Sequence, residues 1–246
     1  YAYCGNNPIN FTDSWGLDPA LDEYIRNNYS GTMTVTLAVA RPVPNSREVA
    51  QITSDGELYN GHSFLRLDDG NGNVKYLGLA PTKKSLKKML LAKDVGGKMV
   101  NDENSEWNVA KVYTIDKEKY NLLLTFMNSS EKNAPSYNIE SYNCTTWAVD
   151  GLERAGISSY VIGTYEHHWT LPSDITSQLD SYSAKPKWLP SSVGGAAVNL
   201  LMGGFYGYTP ADAAQDLKSA EGTTLLQYDS TGVKTIRNKS YWSSGR

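Results

Sequence analysis

Cysteine is nearly absent from this chain, with two residues in 246, Cys4 and Cys144. Cys4 falls in an irregular leading segment, so the body of the protein carries Cys144 alone. That excludes a disulfide framework and leaves two readings, a small buried hydrophobe or a reactive thiol. Histidine is equally scarce, the three being His62, His167 and His168. Without a His-x-x-x-His or Cys-x-x-Cys spacing they make a poor ligand set, and Gly70-Asn71-Gly72 reads as a turn and not as a phosphate-binding loop. No metal and no other cofactor is expected.

A dominant charge is missing as well. The net charge of −3 gives no general pull toward nucleic acid, and the basic cluster Lys83, Lys84, Lys87 and Lys88 reads as the solvated face of a short helix over 83–93. No nucleic-acid partner is expected. The uncharged stretch from Trp188 to Ala211 is interrupted by Pro190, Gly194, Gly195, Asn199, Gly203 and Gly204. A membrane span needs roughly 20 predominantly apolar residues, so a buried helix is the better reading. No basic-then-apolar signal peptide opens the sequence, so export would require a carrier.

What is present suits a folded globular protein, 40% hydrophobic and 20% charged. Thr32 to Ala40 alternates with β-branched residues, as a half-buried strand does. The apolar runs His62 to Leu67 and Val74 to Leu79 flank Asp68-Asp69-Gly70-Asn71-Gly72-Asn73, a strong hairpin signal. Trp107 to Ile115 reads as a strand and Asp116 to Asn128 as a helix with Leu122, Leu123, Phe126 and Met127 on its apolar side. A second helix starts with Asn143 as N-cap and stops with Gly156 just past its end. Further elements are a short strand over 160–162, helical residues over 173–179, a capped helix from Thr209 to Ala220 and a closing hairpin from Thr223 to Arg237.

Cys144 falls on the first turn of the helix that Asn143 caps. The positive end of a helix stabilises a thiolate, and its free N–H groups can receive an oxyanion, so this position favours the reactive reading of the cysteine. Thiol catalysis also needs a base within hydrogen-bond reach. His62 is the better candidate, since it follows Gly61 at the start of a strand, whereas His167 and His168 stand beside Trp169 in a loop-like stretch. The residues around the thiol, Asn143, Thr145 and Trp147, are the expected lining of an oxyanion and substrate pocket.

Two family resemblances extend this reading. Tyr1-Ala2-Tyr3, Asn6-Asn7-Pro8 and Asp13-Ser14-Trp15-Gly16-Leu17 resemble the end of the core domain of RHS/YD-repeat proteins, with Ser14 where that family has proline. The resemblance implies that Asp13 belongs to an aspartyl cutting apparatus and that the chain is cut after Leu17. It further implies that the residues beyond the cut are a toxin delivered into a target cell by a bacterial secretion or toxin-complex system. Its implied partners are the RHS shell of the parent polypeptide and a cognate immunity protein.

Gly61-His62-Ser63-Phe64-Leu65-Arg66-Leu67, the hairpin, Leu77-Gly78-Leu79-Ala80-Pro81 and the later Asn143-Cys144-Thr145-Thr146-Trp147-Ala148 resemble the permuted papain-like proteins typified by lecithin:retinol acyltransferase. This second resemblance covers about Gly61 to Gly156. It implies an α+β, circularly permuted papain-like fold with an antiparallel sheet packed on the helix that carries the cysteine, with Cys144 as nucleophile and His62 as base. The polar residue that orients the histidine in that family corresponds to Gly78, which has no side chain. Tyr76, two positions earlier on the same strand face, is the expected substitute, with Glu166 and His167 as alternatives.

Three segments are therefore expected: a junction over 1–17, a cysteine hydrolase domain over 18–190, and a helical and hairpin extension packed on it over 191–246. The expected chemistry is an acyl-enzyme at Cys144 formed from an amide bond in a peptide, isopeptide or glutamine side chain. One alternative is a phospholipid acyl hydrolase or acyltransferase with residues 193–208 against the membrane. Another is a pore-forming or binding toxin with a structural Cys144 and His62.

Overall fold

The computed structural model describes residues 18–42, 51–52, 58–82, 94–157, 165–168, 204–219, 224–229 and 232–237. The junction residues Asp13 and Leu17, the helix expected over 83–93, the strand over 160–162 and the helix over 173–179 lie outside the described residues. So does the uncharged stretch 188–211 up to residue 203.

The chain is α+β. Helix α1 (Asp18–Tyr29) leads into β1 (Thr34–Ala40); two short strands, β2 (Gln51–Ile52) and β3 (Leu58–Tyr59), precede the hairpin β4 (His62–Asp68) and β5 (Val74–Pro81). Then come β6 (Gly97–Val100), β7 (Val109–Thr114), α2 (Lys117–Lys132) and α3 (Cys144–Arg154). The chain closes with β8 (Tyr165–His168), β9 (Gly204–Gly207), α4 (Pro210–Ser219), β10 (Thr224–Asp229) and β11 (Gly232–Arg237).

Seven strands form one sheet in the order β11-β10-β7-β1-β4-β5-β6, and every neighbouring pair is antiparallel. The expected closing hairpin exists as β10 and β11. Leu226 of β10 pairs with Ala110 of β7, so the hairpin extends the sheet and satisfies the hydrogen-bonding groups on that side of β7. Within the uncharged stretch, residues 204–207 form strand β9 and not the expected buried helix; β9 pairs with β8 in a separate two-stranded sheet. Two glycines and two aromatics in Gly204-Phe205-Tyr206-Gly207 suit an extended chain better than a helix.

Alternation along the strands sorts side chains to two covered faces. Val35, Leu37, Val39, Leu65, Leu67, Leu77 and Leu79 share a core with Leu123 and Met127 of α2, Trp147, Ala148, Val149 and Leu152 of α3, and Ala213, Ala214 and Leu217 of α4. On the other face Ala38, Phe64, Ala110, Val112 and Leu226 meet Leu21 and Ile25 of α1 and the Trp107 ring. Strand β1 lies at the centre of this sandwich, and each of its seven residues is buried. The half-buried reading of that strand is corrected accordingly. Its threonines, Thr34 and Thr36, alternate with the aliphatics as on a surface strand, but the face that carries them is covered.

Helix α2 is capped by the Asp116 carboxylate, which accepts from the Lys119 backbone N–H at 2.9 Å. Of its expected apolar set, Leu123 and Met127 are buried while Leu122 is 46% exposed. Helix α3 ends as the sequence indicates. The Ile157 N–H reaches the Leu152 carbonyl and the Gly156 N–H the Glu153 carbonyl, the paired bonds that close a helix through a glycine. Thr209 caps α4 and exchanges hydrogen bonds with Asp212. Among the described residues no helix is long and apolar enough to cross a membrane.

Candidate active site

The site is assembled where the start of β4 meets the start of α3. Gly61 sets the entry to β4: its φ is +76°, and a Cβ there would lie 2.4 Å from the Ala40 carbonyl oxygen and 2.8 Å from Pro42. Only glycine fits both the left-handed backbone and the close approach, so the position of His62 is fixed from the residue before it. The His62 ring stacks on Phe64 with centroids 6.1 Å apart and keeps 20% exposure.

Cys144 is the first residue of α3 and is 2% exposed. Asn143 caps the helix in a full capping box. Its Oδ1 accepts from the N–H groups of Thr145 and Thr146, while the Thr146 hydroxyl accepts from the Asn143 N–H. The Asn143 Nδ2 donates to the carbonyls of Ile139 and Tyr208, each at 2.9 Å. All polar atoms of that side chain are thereby engaged, and its expected role as an oxyanion donor is corrected: it builds the helix end.

Two other expected pocket residues are also displaced. Trp147 is fully buried, donates from Nε1 to the Ser130 hydroxyl at 3.1 Å and stacks on Phe126 at 5.3 Å, which makes it part of the core and not of a substrate surface. Thr145 is likewise fully buried, its hydroxyl 2.9 Å from that of Ser63.

The third position is filled by Asp102. Its Oδ2 lies 3.0 Å from Nε2 of His62. A Cβ on Gly78 would stand 2.1 Å from that same oxygen and 2.8 Å from Nε2 of His62. The empty volume at Gly78 is therefore the space that Asp102 occupies, entering from the chain just beyond β6, whose Val100 pairs with Gly78. Ser105 holds the carboxylate in place, its hydroxyl donating to Oδ1 at 2.6 Å and its N–H to the Asp102 carbonyl at 3.0 Å.

Tyr76, the expected substitute, is not at the site. Its hydroxyl accepts from Nε of Arg66 at 2.9 Å beneath α1, because side chains of β5 at that register point along the Arg66 row. Glu166 and His167, the other candidates, are on β8. Sequence reasoning missed Asp102 because β6 carries no apolar alternation; the glycine at position 78 was the signal that a neighbouring strand had to supply the group.

The electrostatics bind these residues into one unit. Burial alone would raise the Cys144 thiol, but the hydrogen bond to His62, the charge of that ring, the Ser63 backbone N–H and the Thr145 hydroxyl outweigh it, and the thiol is held below its ordinary 9.0. Burial likewise opposes a charged His62, yet the hydrogen bonds to Asp102 and Cys144 and their negative charges raise it above its usual 6.5. The two shifts run in the directions that favour an imidazolium beside a thiolate. With Nε2 committed to Asp102, Nδ1 is the nitrogen left to face the sulfur. Helix α3 has no acidic residue in its first turn to weaken its field.

A hydroxyl completes the surroundings. Tyr137, 2% exposed, accepts from Nδ2 of Asn60 at 3.2 Å. Burial and the adjoining sulfur push its phenol well up, so it stays a neutral donor. Tyr59 is shifted the same way by burial, Glu106 and Cys144. Among the described residues no group of histidine, cysteine and carboxylate side chains is arranged to hold a metal ion.

The fold and this site define an α+β protein with a Cys–His–Asp constellation at a helix N-terminus. The chain matches no protein-family model and no curated protein. Among solved structures, the crystal structure of the type VI secretion system effector TseH resembles it over 84% of this chain and 99% of that chain, with a TM-score of 0.41 and 12% identity. At those values the likeness assigns neither fold nor activity.

Proposed function

We propose that this protein is a cysteine hydrolase or transferase that works through an acyl-enzyme at Cys144, with His62 as base and Asp102 as the group that orients it, in a permuted papain-like arrangement. The observation that carries the reading is Cys144 at the start of α3, its thiol lowered by a histidine whose Nε2 is 3.0 Å from a buried carboxylate. The resemblance of residues 61–156 to permuted papain-like proteins supports it, since the histidine strand precedes the cysteine helix in both.

In this mechanism the thiolate attacks a carbonyl carbon, forming the C–S bond while the carbonyl electron pair moves to oxygen. Capping already takes the N–H groups of Asn143, Thr145 and Thr146, which leaves the Cys144 N–H as the first-turn donor for that oxygen. Collapse expels the amine, to which the His62 imidazolium gives its proton. Neutral His62 then takes a proton from water, whose oxygen attacks the thioester and frees Cys144. Amide substrates fit best, because an imidazolium in contact with the sulfur supplies the proton an amine leaving group needs.

The resemblance of residues 1–17 to the end of an RHS core supports delivery of this activity as toxin cargo, with the shell and a cognate immunity protein as partners. Expression of the chain inside bacteria tests both parts together. The parent should arrest growth and Cys144→Ala should not; a Cys144→Ala variant as toxic as the parent overturns the mechanism. Liposomes that release free fatty acid on exposure to the parent, with peptide and glutamine substrates untouched, would replace the amide assignment with a lipid one.

A further inference from the structure

The residues that come directly after the base and the nucleophile in sequence are bonded to each other. Ser63, next to His62, and Thr145, next to Cys144, place their hydroxyl oxygens 2.9 Å apart. Both side chains are fully buried. The contact joins β4 to α3 beside the residues that carry the imidazole and the thiol.

Hydrogen-bond counting sets the donor order. The Thr145 hydroxyl, on the residue directly after Cys144, lowers the thiol as a donor to it would, and a hydroxyl carries one proton. If that proton goes to sulfur, the Ser63 hydroxyl must donate to the Thr145 oxygen. The Ser63 backbone N–H also lowers the thiol. One residue of β4 therefore supports Cys144 twice, once through its backbone and once through Thr145.

We propose that Ser63 and Thr145 form a positioning relay, Ser63 O–H to Thr145 O–H to Cys144 sulfur, that locks the histidine strand to the cysteine helix and selects the thiolate. The relay rests on the Cys–His reading above and adds to it residues that touch no substrate. Apolar side chains of similar shape would fill the same space. The chain instead buries two hydroxyls, which costs free energy unless both are hydrogen-bonded. Charge-assisted hydrogen bonds are about twice as strong as neutral ones, so the relay binds a thiolate better than a thiol.

The groups facing Cys144 that also titrate are His62 from β4, Tyr137 from the segment before α3 and Tyr59 from β3, with Asp102 beyond His62 and Glu106 beyond Tyr59. None of them is removed by changing Ser63 or Thr145, so the contribution of the relay can be isolated.

The test is the pH dependence of Cys144 alkylation by iodoacetamide, run on the parent, Thr145→Val, Thr145→Ser and Ser63→Ala, with thermal unfolding of each. In the parent the midpoint should lie below the ordinary thiol value of 9.0. Thr145→Val should move the midpoint up by about one pH unit, a roughly tenfold loss of thiolate at pH values well below the parent midpoint. Ser63→Ala should move it by less, and Thr145→Ser, which keeps the hydroxyl, should stay with the parent.

A merely structural pair would lower the unfolding temperature and leave the midpoint in place. A folded Thr145→Val or Ser63→Ala with the parent midpoint overturns the relay while leaving the Cys–His reading intact. A parent that titrates as an ordinary thiol overturns that reading and the relay with it. Should Thr145→Val not fold, the comparison of Ser63→Ala with Thr145→Ser decides alone.

Discussion

Two polar clusters hang from the same face of β4. At its start, His62 meets Asp102 and Cys144; four residues on, Arg66 meets Asp22, Asp68 and Tyr76. Each sets a nitrogen base against carboxylates inside the protein, and the Arg66 side chain is the more buried at 2% exposure against 20% for His62. They differ in what the nitrogen can do. A guanidinium does not release its proton in a protein, so the second cluster can only hold. It clamps α1 to the sheet through a 2.7 Å contact from Nε to Asp22, while Nη2 holds Asp68 of β4 itself at 2.9 Å. An imidazole changes charge near neutral pH, and its other partner is a sulfur and not a second carboxylate. Burial of a charged group is thus common to both; chemistry needs a titratable base beside a nucleophile whose acidity has been shifted toward it.

If that distinction is right, the two clusters fail in different ways. The largest effect on folding is expected at Arg66. Arg66→Met leaves Asp22 and Asp68 facing an apolar stem and should cost about 3 kcal/mol, the usual cost of breaking one side of a buried ion pair. Urea unfolding measures it. The pH midpoint of Cys144 alkylation should not change, and a shift there would show that the clusters act as one.

Asp102→Asn should show the opposite pattern. Loss of the carboxylate charge lowers His62 from its raised value and lets Cys144 rise toward 9.0. The acid limb of the alkylation profile then moves up in pH and the alkaline limb of the proposed hydrolysis moves down, so its window narrows from both sides. A loss of thiolate on the order of tenfold below the parent midpoint is expected, with an unfolding free energy much closer to the parent than that of Arg66→Met. An unchanged profile would reduce Asp102 to a spectator.

The difference between the clusters also marks how far the sequence could be read. The strand–hairpin–strand run from His62 to Pro81, the helix capped by Asn143 and the closing hairpin were legible because their signals are local: alternation, turn residues and caps. Cys144 and His62 were legible because scarcity left few candidates. Asp102 was not, since its role depends on β6 pairing with β5, and the segment Gly97-Lys98-Met99-Val100 is too short to announce a strand. Tyr76 failed as a substitute for a reason that alternation does not reveal: residues two apart share a face, but Arg66 on the neighbouring strand already holds that hydroxyl. Asn143, Thr145 and Trp147 were placed near the thiol correctly by sequence distance. Their functions went unread because a helix turns each one toward a different neighbour.

Gly78 offers the smallest change and the finest discrimination. Gly78→Ala adds one methyl group at a site where its carbon would lie 2.1 Å from Oδ2 of Asp102, so the carboxylate must retreat and its bond to His62 must lengthen. The charge remains nearby, and the expected loss of thiolate below the parent midpoint is therefore about threefold, less than for Asp102→Asn. The decisive measurement is the double variant. If Gly78 matters only by leaving room for Asp102, the alanine should have no further effect once Asp102 is asparagine, and the two changes should be strongly non-additive. Additive losses would mean that the methyl group disturbs His62 directly, at the 2.8 Å approach to Nε2. The histidine, and not the carboxylate, would then be what the glycine makes room for.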